Sequence, residues 1–91
     1  MGKILHLNLK AKYFYAIAAG MKSFEYRRAT PYWTARLFDR RYTAILLKCG
    51  YPKATDTAKH ITRPWKGYVL KRIIHPEFGT EPTTVYAIRV N

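Results

Sequence analysis

The sequence predicts an α+β fold in which about five strands form a small closed or nearly closed β-barrel with two helices packed at its side. Two observations support this prediction. The chain of 91 residues is 48% hydrophobic and 15% aromatic, which suffices for the core of one domain spanning residues 1–91. Along the chain, hydrophobic patterns of period two alternate with helical spacing, in the order strand, helix, strand, short helix and three strands.

The first half of the chain contains strand and helix patterns in turn. Three leucines recur with a period of two within residues 3–9, which indicates a strand. From about residue 11 the apolar spacing becomes helical, and Gly20 lies where a helix commonly ends. Residues 22–28 alternate again as a strand. Thr30, followed by proline, then predicts the start of a short helix that continues to about residue 38.

The second half is predicted to be mainly strand. Residues 42–49 are nearly all apolar, as expected of a strand that is buried on both faces. Residues 50–64 show no periodicity and are predicted to form a long basic loop. Two runs rich in β-branched and aromatic residues, 65–74 and 83–90, predict strands, and residues 75–82 between them predict a turn.

The charge of the chain indicates a polyanionic partner. Seventeen Lys and Arg residues stand against five Asp and Glu residues, giving a formal net charge of +12. Like charges repel one another in the folded state, so stability of the fold does not account for this excess. Such an excess is typical of proteins that bind phosphate backbones. We expect single-stranded RNA or a nucleotide, and DNA stays open because phosphate attraction is common to both. The alternatives are a surface that serves solubility and a basic adaptor for an acidic protein.

Other features of the sequence favour a monomeric cytoplasmic protein without a metal or cofactor. No run of about 18 apolar residues predicts a membrane span, and the first residues lack the apolar region of a signal peptide. Cys49 is the only cysteine, which excludes an internal disulfide, and its apolar strand predicts a buried, inert thiol. His6, His60 and His75 are too scattered in sequence to predict a metal site.

The segment from Gly20 to Arg27 concentrates groups that can bind or react. Glu25 and Arg27 are two residues apart and therefore project from one face of the predicted strand, while Phe24 anchors the other face. Lys22 precedes them at the start of the strand. This group could hold a phosphate or a base edge, and Glu25 could move a proton. The alternative is that Glu25 and Arg27 pair with neighbouring strands across the sheet surface.

The run Gly20-x-Lys22-x-x-Glu25-x-Arg27 resembles the GxKxxExR signature of the ASCH domain family, which has a PUA-like β-barrel fold. The resemblance extends over essentially the whole chain and is to the short, stand-alone bacterial and phage type. It implies one ASCH domain over residues 1–91 that binds RNA or a nucleotide in a basic cleft walled by the signature. The other segments that carry it are 7–9, 50–52, 64–68 and 74–79.

The same resemblance implies two possible activities, both involving Lys22 and Glu25. Some family members are ribonucleases. In a metal-free scheme Glu25, or a nearby histidine, would take the ribose 2′-OH proton while Lys22 and Arg27 stabilise charge on phosphorus. Another branch hydrolyses acetylated cytidine with a Lys, a Thr and a Glu. Lys22 matches that lysine, but Glu25 stands where the threonine is expected, which disfavours the hydrolase.

Aromatic residues interleaved with cations predict a surface for single-stranded nucleic acid. Bases stack on rings while cations follow the phosphates. The alternative is that the large aromatic side chains simply form the core. The predicted nucleic-acid-binding residues are Asn8, Lys22, Arg27, Arg28, Trp33, Arg36, Arg63, Trp65 and Lys66.

Overall fold

The computed structural model describes residues 2–91, and the part of the chain it describes is an α+β structure with two α-helices and six strands in two sheets. This confirms the predicted class. The helices are α1 (Ala11–Ala18) and α2 (Pro31–Leu37), and short 3₁₀ turns lie at Thr57–Lys59 and Pro76–Phe78. The strands are β1 (Lys3–Leu9), β2 (Phe24–Arg28), β3 (Tyr42–Cys49), β4 (His60–Pro64), β5 (Tyr68–Ile73) and β6 (Thr83–Arg89).

The described chain divides into two compact units, each with one three-stranded sheet. The first unit comprises residues 2–23, 41–65 and 90–91, and its sheet has the order β1-β3-β4. The second unit comprises residues 24–40 and 66–89, and its sheet has the order β2-β6-β5.

In the first unit, β1 runs parallel to the central strand β3, and β4 pairs with β3 in the antiparallel sense. The period-two leucines explain the buried face, because Leu5 pairs with Ile45 and Leu7 pairs with Leu47, and all four are buried. The next residues along these strands point to the opposite face, which is less buried. Leu9, Val90 and two side chains of α1, Phe14 and Ile17, are the other buried apolar residues described in this unit.

The helix α1 ends as the glycine predicts. Gly20 has a φ of 75°, a conformation that side chains with a Cβ rarely adopt. This left-handed residue lets the Gly20 amide donate to the Ile17 carbonyl at 3.0 Å and the Met21 amide donate to the Ala16 carbonyl at 2.9 Å. Both bonds satisfy carbonyl groups that would otherwise be left at the helix end. The chain then turns towards β2.

In the second unit, the central strand β6 supplies four consecutive buried residues, 85–88. Thr30 caps α2 as predicted, since its hydroxyl accepts a hydrogen bond from the Trp33 amide at 3.4 Å. The helix is joined to β6 by a hydrogen bond of 2.6 Å between the hydroxyls of Thr34 and Tyr86. Leu37 of α2 is also buried.

Some local predictions are wrong. The basic segment 50–64 is not a loop throughout, because His60–Pro64 forms β4 and pairs with β3. This segment lacks an apolar pattern of period two, because cationic and polar side chains interrupt it. It nevertheless forms a strand, because its backbone pairs with that of β3. The residues of β3 alternate between buried and half-buried rather than being buried on both faces, and Cys49 at its end is half-buried. Strands β2 and β5 begin two and three residues later than predicted.

No helix within residues 2–91 has both the length and the apolar character needed to cross a membrane.

Candidate functional site

The signature residues belong to both units. Lys22 lies in the first unit, between α1 and β2, whereas Glu25 and Arg27 lie on β2 in the second. The ammonium group of Lys22 is 5.4 Å from the ring centroid of Tyr13, a cation–π distance. The Lys22 carbonyl accepts a hydrogen bond of 2.7 Å from the Asn91 side-chain amide. Lys22 is thus held at both its side chain and its backbone.

Glu25 and Arg27 form an ion pair along β2. As predicted, both project from one face, and Arg27 Nη2 donates to Glu25 Oε2 at 2.7 Å. The pair lies on the face that also carries Ile88 and Tyr86 of β6, both of them buried. Glu25 is accordingly only 7% exposed, although a lone carboxylate is costly to bury. The two residues bond each other within one strand, and this bond holds the Arg27 guanidinium in a fixed position.

Arg27 is also one end of a series of stacked groups on α2 and β2. Its guanidinium carbon lies 5.0 Å from the Trp33 ring centroid. The Trp33 ring meets the Tyr32 ring edge-on at 5.3 Å, and the Arg36 guanidinium lies 3.5 Å above the Tyr32 ring. We call Arg36, Tyr32, Trp33 and Arg27 the arginine–aromatic ladder.

The helix α2 explains why the ladder forms. Tyr32 and Arg36 are four residues apart and therefore lie one above the other on the same side of the helix. A hydrogen bond of 3.2 Å from Arg36 Nη1 to the Tyr32 carbonyl strengthens this stacking. The cap at Thr30 fixes where the helix begins and so which side chains face Arg27. Tyr32 remains 57% exposed, so part of the ladder is open to solvent.

The opposite face of the second unit's sheet carries further pairs of cations and rings. Arg28 lies 5.6 Å from the Phe78 ring centroid and donates to the Phe78 carbonyl at 3.1 Å. Lys71 and Arg89 lie 4.1 and 5.8 Å from the Phe24 ring centroid. Arg28 therefore belongs to a different face from the ladder, as the alternation of β2 requires.

The first unit holds three further predicted residues in two places. Asn8 lies at the end of β1, where its Nδ2 donates to the Gly50 carbonyl at 2.7 Å. Arg63 and Trp65 lie at and after the end of β4: Arg63 Nε donates to Asn91 Oδ1 at 3.3 Å, and the Trp65 ring meets the Tyr42 ring at 5.1 Å.

A cavity of about 260 Å³ adjoins Asn8 at the ends of the parallel strands β1 and β3. Tyr51 at its rim is 93% exposed. Its lining residues are Asn8, Leu9, Lys10, Gly50 and Tyr51.

No protein-family model, curated protein or solved structure matches this chain. The resemblance to the ASCH family therefore depends on the signature and segments described above, and it stays a prediction.

The predicted site residues thus form separate groups. The second unit brings together Glu25, Arg27, Trp33 and Arg36. Lys66 of that unit is exposed in the turn before β5. In the first unit, Asn91 joins the segments of Lys22 and Arg63, since its amide donates to the Lys22 carbonyl and its oxygen accepts from Arg63.

Sequence reasoning missed several residues that the structure places beside predicted ones. The Asn91 side chain bonds Ile17, Lys22 and Arg63, but a residue two positions beyond the last strand carries no sequence signal for such a role. Lys48 and His60 lie level with Asn8 on neighbouring strands. The register of β1 against β3 aligns Lys48 with Asn8, and the register of β4 against β3 adds His60, which was predicted to lie in a loop.

Positive charge is distributed unevenly between the units. The first unit carries nine Lys and Arg residues against Asp56 alone, whereas the second carries eight against four acidic residues. The cation–π pairs of the second unit described above involve mainly arginine. Within residues 2–91, no group of three or more His, Cys, Asp or Glu side chains is placed to hold a metal ion.

Proposed function

We propose that this chain is an RNA- or nucleotide-binding domain of the ASCH type, a cytoplasmic monomer that uses no cofactor. The arginine–aromatic ladder, in a chain of net charge +12, is the observation that carries the proposal. The proposal includes the PUA-like β-barrel of that family and one domain over residues 1–91. An experimental structure without such a barrel would contradict this family assignment.

The ladder has the chemical character of a stacking surface for bases. Unpaired bases stack on aromatic rings and on guanidinium planes, and each stacked base contributes about 1–3 kcal/mol. Tyr32 and Arg36 are exposed and already stacked together, so little side-chain freedom is lost when a base joins them. RNA is the preferred partner, because its recognition commonly targets unstacked single strands.

In this proposal the signature positions the ladder and adds charge. Glu25 holds the Arg27 guanidinium over the Trp33 ring, so its part is to orient a cation that contacts the ligand. Arg28, Lys66, Asn8, Lys22, Arg63 and Trp65 supply further phosphate or base contacts. These contacts explain why binding is expected to depend on salt.

The test of the stacking surface is a titration of fluorescent single-stranded RNA followed by anisotropy. We expect Tyr32→Ala to weaken binding about 5- to 150-fold, the equivalent of one stacked base. Tyr15→Ala is the matched control, because Tyr15 is a helical tyrosine with 53% exposure against 57% for Tyr32. Equal affinities for the two variants would reject the ladder as the binding surface.

The same titration at several salt concentrations tests the phosphate contacts. For Z contacts to a single strand, log K falls by about 0.7Z per decade of salt. An affinity that does not change with salt concentration would reject the nucleic-acid proposal as a whole. A DNA strand of the same sequence tests the preference for RNA. We expect the protein to bind the RNA more tightly than this DNA.

A second candidate function is an RNA-processing enzyme, and the burial of Glu25 favours it. A carboxylate only 7% exposed is shielded from water, as acid–base groups often are. A ribonuclease using Lys22 and Glu25 is preferred over a hydrolase of acetylated cytidine, because Glu25 stands where that branch has threonine. Labelled RNA is incubated with the wild type, Lys22→Ala and Glu25→Gln. Cleavage lost in both variants supports catalysis, and equal cleavage by all three shows contamination.

A further inference from the structure

Three polar residues of the first unit lie in one row across its sheet. Asn8 on β1 pairs with Lys48 on β3, and Lys48 pairs with His60 on β4. Directly paired residues point to the same face, with Cβ atoms about 4.5–5.5 Å apart. This face lies opposite the buried leucines of β1, and both Lys48 and His60 are half-buried on it. We call these three residues the cross-strand row.

The imidazole of His60 is held in one orientation. Its Nδ1 lies 2.8 Å from the carbonyl oxygen of Asp56. A carbonyl oxygen can only accept, so Nδ1 carries a proton and donates it. The other ring nitrogen, Nε2, is therefore the one that can take up a proton and donate to an anion.

Lys48 is a half-buried residue whose ammonium group has no counter-charge within residues 2–91. Its ammonium group makes no ion pair or hydrogen bond with any residue in the described range 2–91. The first unit has a single acidic residue, Asp56, whose carboxylate lies 4.0 Å from the ammonium group of Lys59. An ammonium group with no opposite charge beside it attracts anions. An anion from solution can provide that charge.

We propose that the cross-strand row binds a phosphate group between the Lys48 ammonium and His60 Nε2. Asn8 is the positioning residue of the row, because its Nδ2 is engaged with the Gly50 carbonyl at the wall of the adjoining cavity. Tyr51 at the rim is 93% exposed and offers a ring to the base of a nucleotide. The phosphate belongs either to a free nucleotide or to the backbone of a nucleic acid.

This phosphate site does not depend on the arginine–aromatic ladder. Its groups belong to the first unit and the ladder belongs to the second. The charged and titratable groups near His60 are Lys48 and His6 on the same face and Asp56 and Lys59 in the preceding turn.

The test is NMR spectroscopy of the isotope-labelled full chain, titrated with inorganic phosphate. We expect saturable changes at the amides of residues 8, 48 and 60 and at the ring of His60. Lys48→Gln should weaken binding about tenfold, since it removes one charge-assisted hydrogen bond. Lys53→Gln is the matched control, because Lys53 is an exposed lysine of the same unit and the charge change is the same. Equal weakening by the two variants would overturn the proposal.

A second variant keeps the test decisive if Lys48→Gln does not fold. His60→Asn retains a side-chain amide that can donate to the Asp56 carbonyl but lacks Nε2. We expect it to bind phosphate about tenfold more weakly while the amide spectrum stays that of a folded protein. Unchanged phosphate affinity in this variant would overturn the role of His60. Tyr32→Ala should leave phosphate binding intact, which separates a failure here from a failure of the ladder.

Two ligands distinguish the source of the phosphate. If the source is a free nucleotide, a nucleoside monophosphate binds more tightly than inorganic phosphate, and Tyr51→Ala removes the difference. If the source is a nucleic-acid backbone, a short single-stranded oligonucleotide displaces phosphate, and Lys48→Gln lowers the affinity for that oligonucleotide. Either result supports a phosphate site. Failure of both ligands to displace inorganic phosphate would overturn it.

Discussion

At the scale of single residues, Glu25 and Arg27 show how one feature can be read in two ways. Their spacing in sequence places both side chains on one face of a strand. The structure adds that this face is buried enough to leave Glu25 7% exposed, and that Arg27 bonds it at 2.7 Å. The sequence could not separate a solvent-exposed pair from a buried one, because burial of β2 depends on Ile88 and Tyr86, which lie sixty residues further on.

The ion pair leads to a prediction for stability. Arg27→Ala removes a charge-assisted hydrogen bond to a buried carboxylate, and we expect the free energy of unfolding to fall by about 2 kcal/mol. Arg72→Ala, which removes the same charge from an exposed position on β5, should change it by less than about 0.5 kcal/mol. Urea denaturation measures both. Similar losses in the two variants would show that net charge, and not the pair, determines the effect.

At the scale of elements, α2 is anchored by a tertiary contact that its sequence does not reveal. Thr30 and Pro31 correctly predict where the helix begins. A helix of seven residues is nevertheless too short to be stable alone, so it depends on packing and on the bond between Thr34 and Tyr86. Since α2 carries Tyr32, Trp33 and Arg36, this bond also determines where the ladder lies.

A double-mutant cycle tests the anchor of α2. We expect Thr34→Val and Tyr86→Phe each to reduce the free energy of unfolding by about 1 kcal/mol, because each leaves a hydroxyl unsatisfied. The double variant should lose less than the sum of the single losses, since no unsatisfied group is left. Thermal or urea denaturation gives the three values. Strictly additive losses would contradict a direct bond between the two hydroxyls.

At the scale of the whole molecule, the net charge of +12 affects stability and binding in opposite ways. Only five acidic residues are present to offset seventeen basic ones, so repulsion between cations disfavours the folded chain. Salt screens this repulsion, but it also screens the attraction to phosphate.

Salt should therefore raise the thermal stability of the protein and lower its affinity for RNA over the same range. Raising NaCl from about 0.01 M to about 0.15 M shortens the screening length from about 30 Å to about 8 Å, and we expect Tm to increase by several degrees. Scanning calorimetry measures Tm. A Tm that falls with NaCl would mean that ion pairs outweigh repulsion.

Local patterns in the sequence were enough to predict the α+β class, the strand from residue 3, the glycine end of α1 and the cap of α2. Each of these depends on neighbouring residues, through alternation, helical spacing or turn chemistry. The sequence also predicted Arg27, Trp33 and Arg36 as nucleic-acid-binding residues, because aromatic and cationic residues alternate between positions 27 and 36.

Features that depend on strand pairing are visible only in the folded chain. The register of β4 against β3 turned a predicted loop into a strand and placed His60 beside Lys48. Pairing of β2 with β6 placed Glu25 on a buried face and made a salt bridge out of two charges that could have been solvated. Side chains on different strands meet through long-range hydrogen bonding of the backbone, and no pattern within a few residues can encode which ones meet.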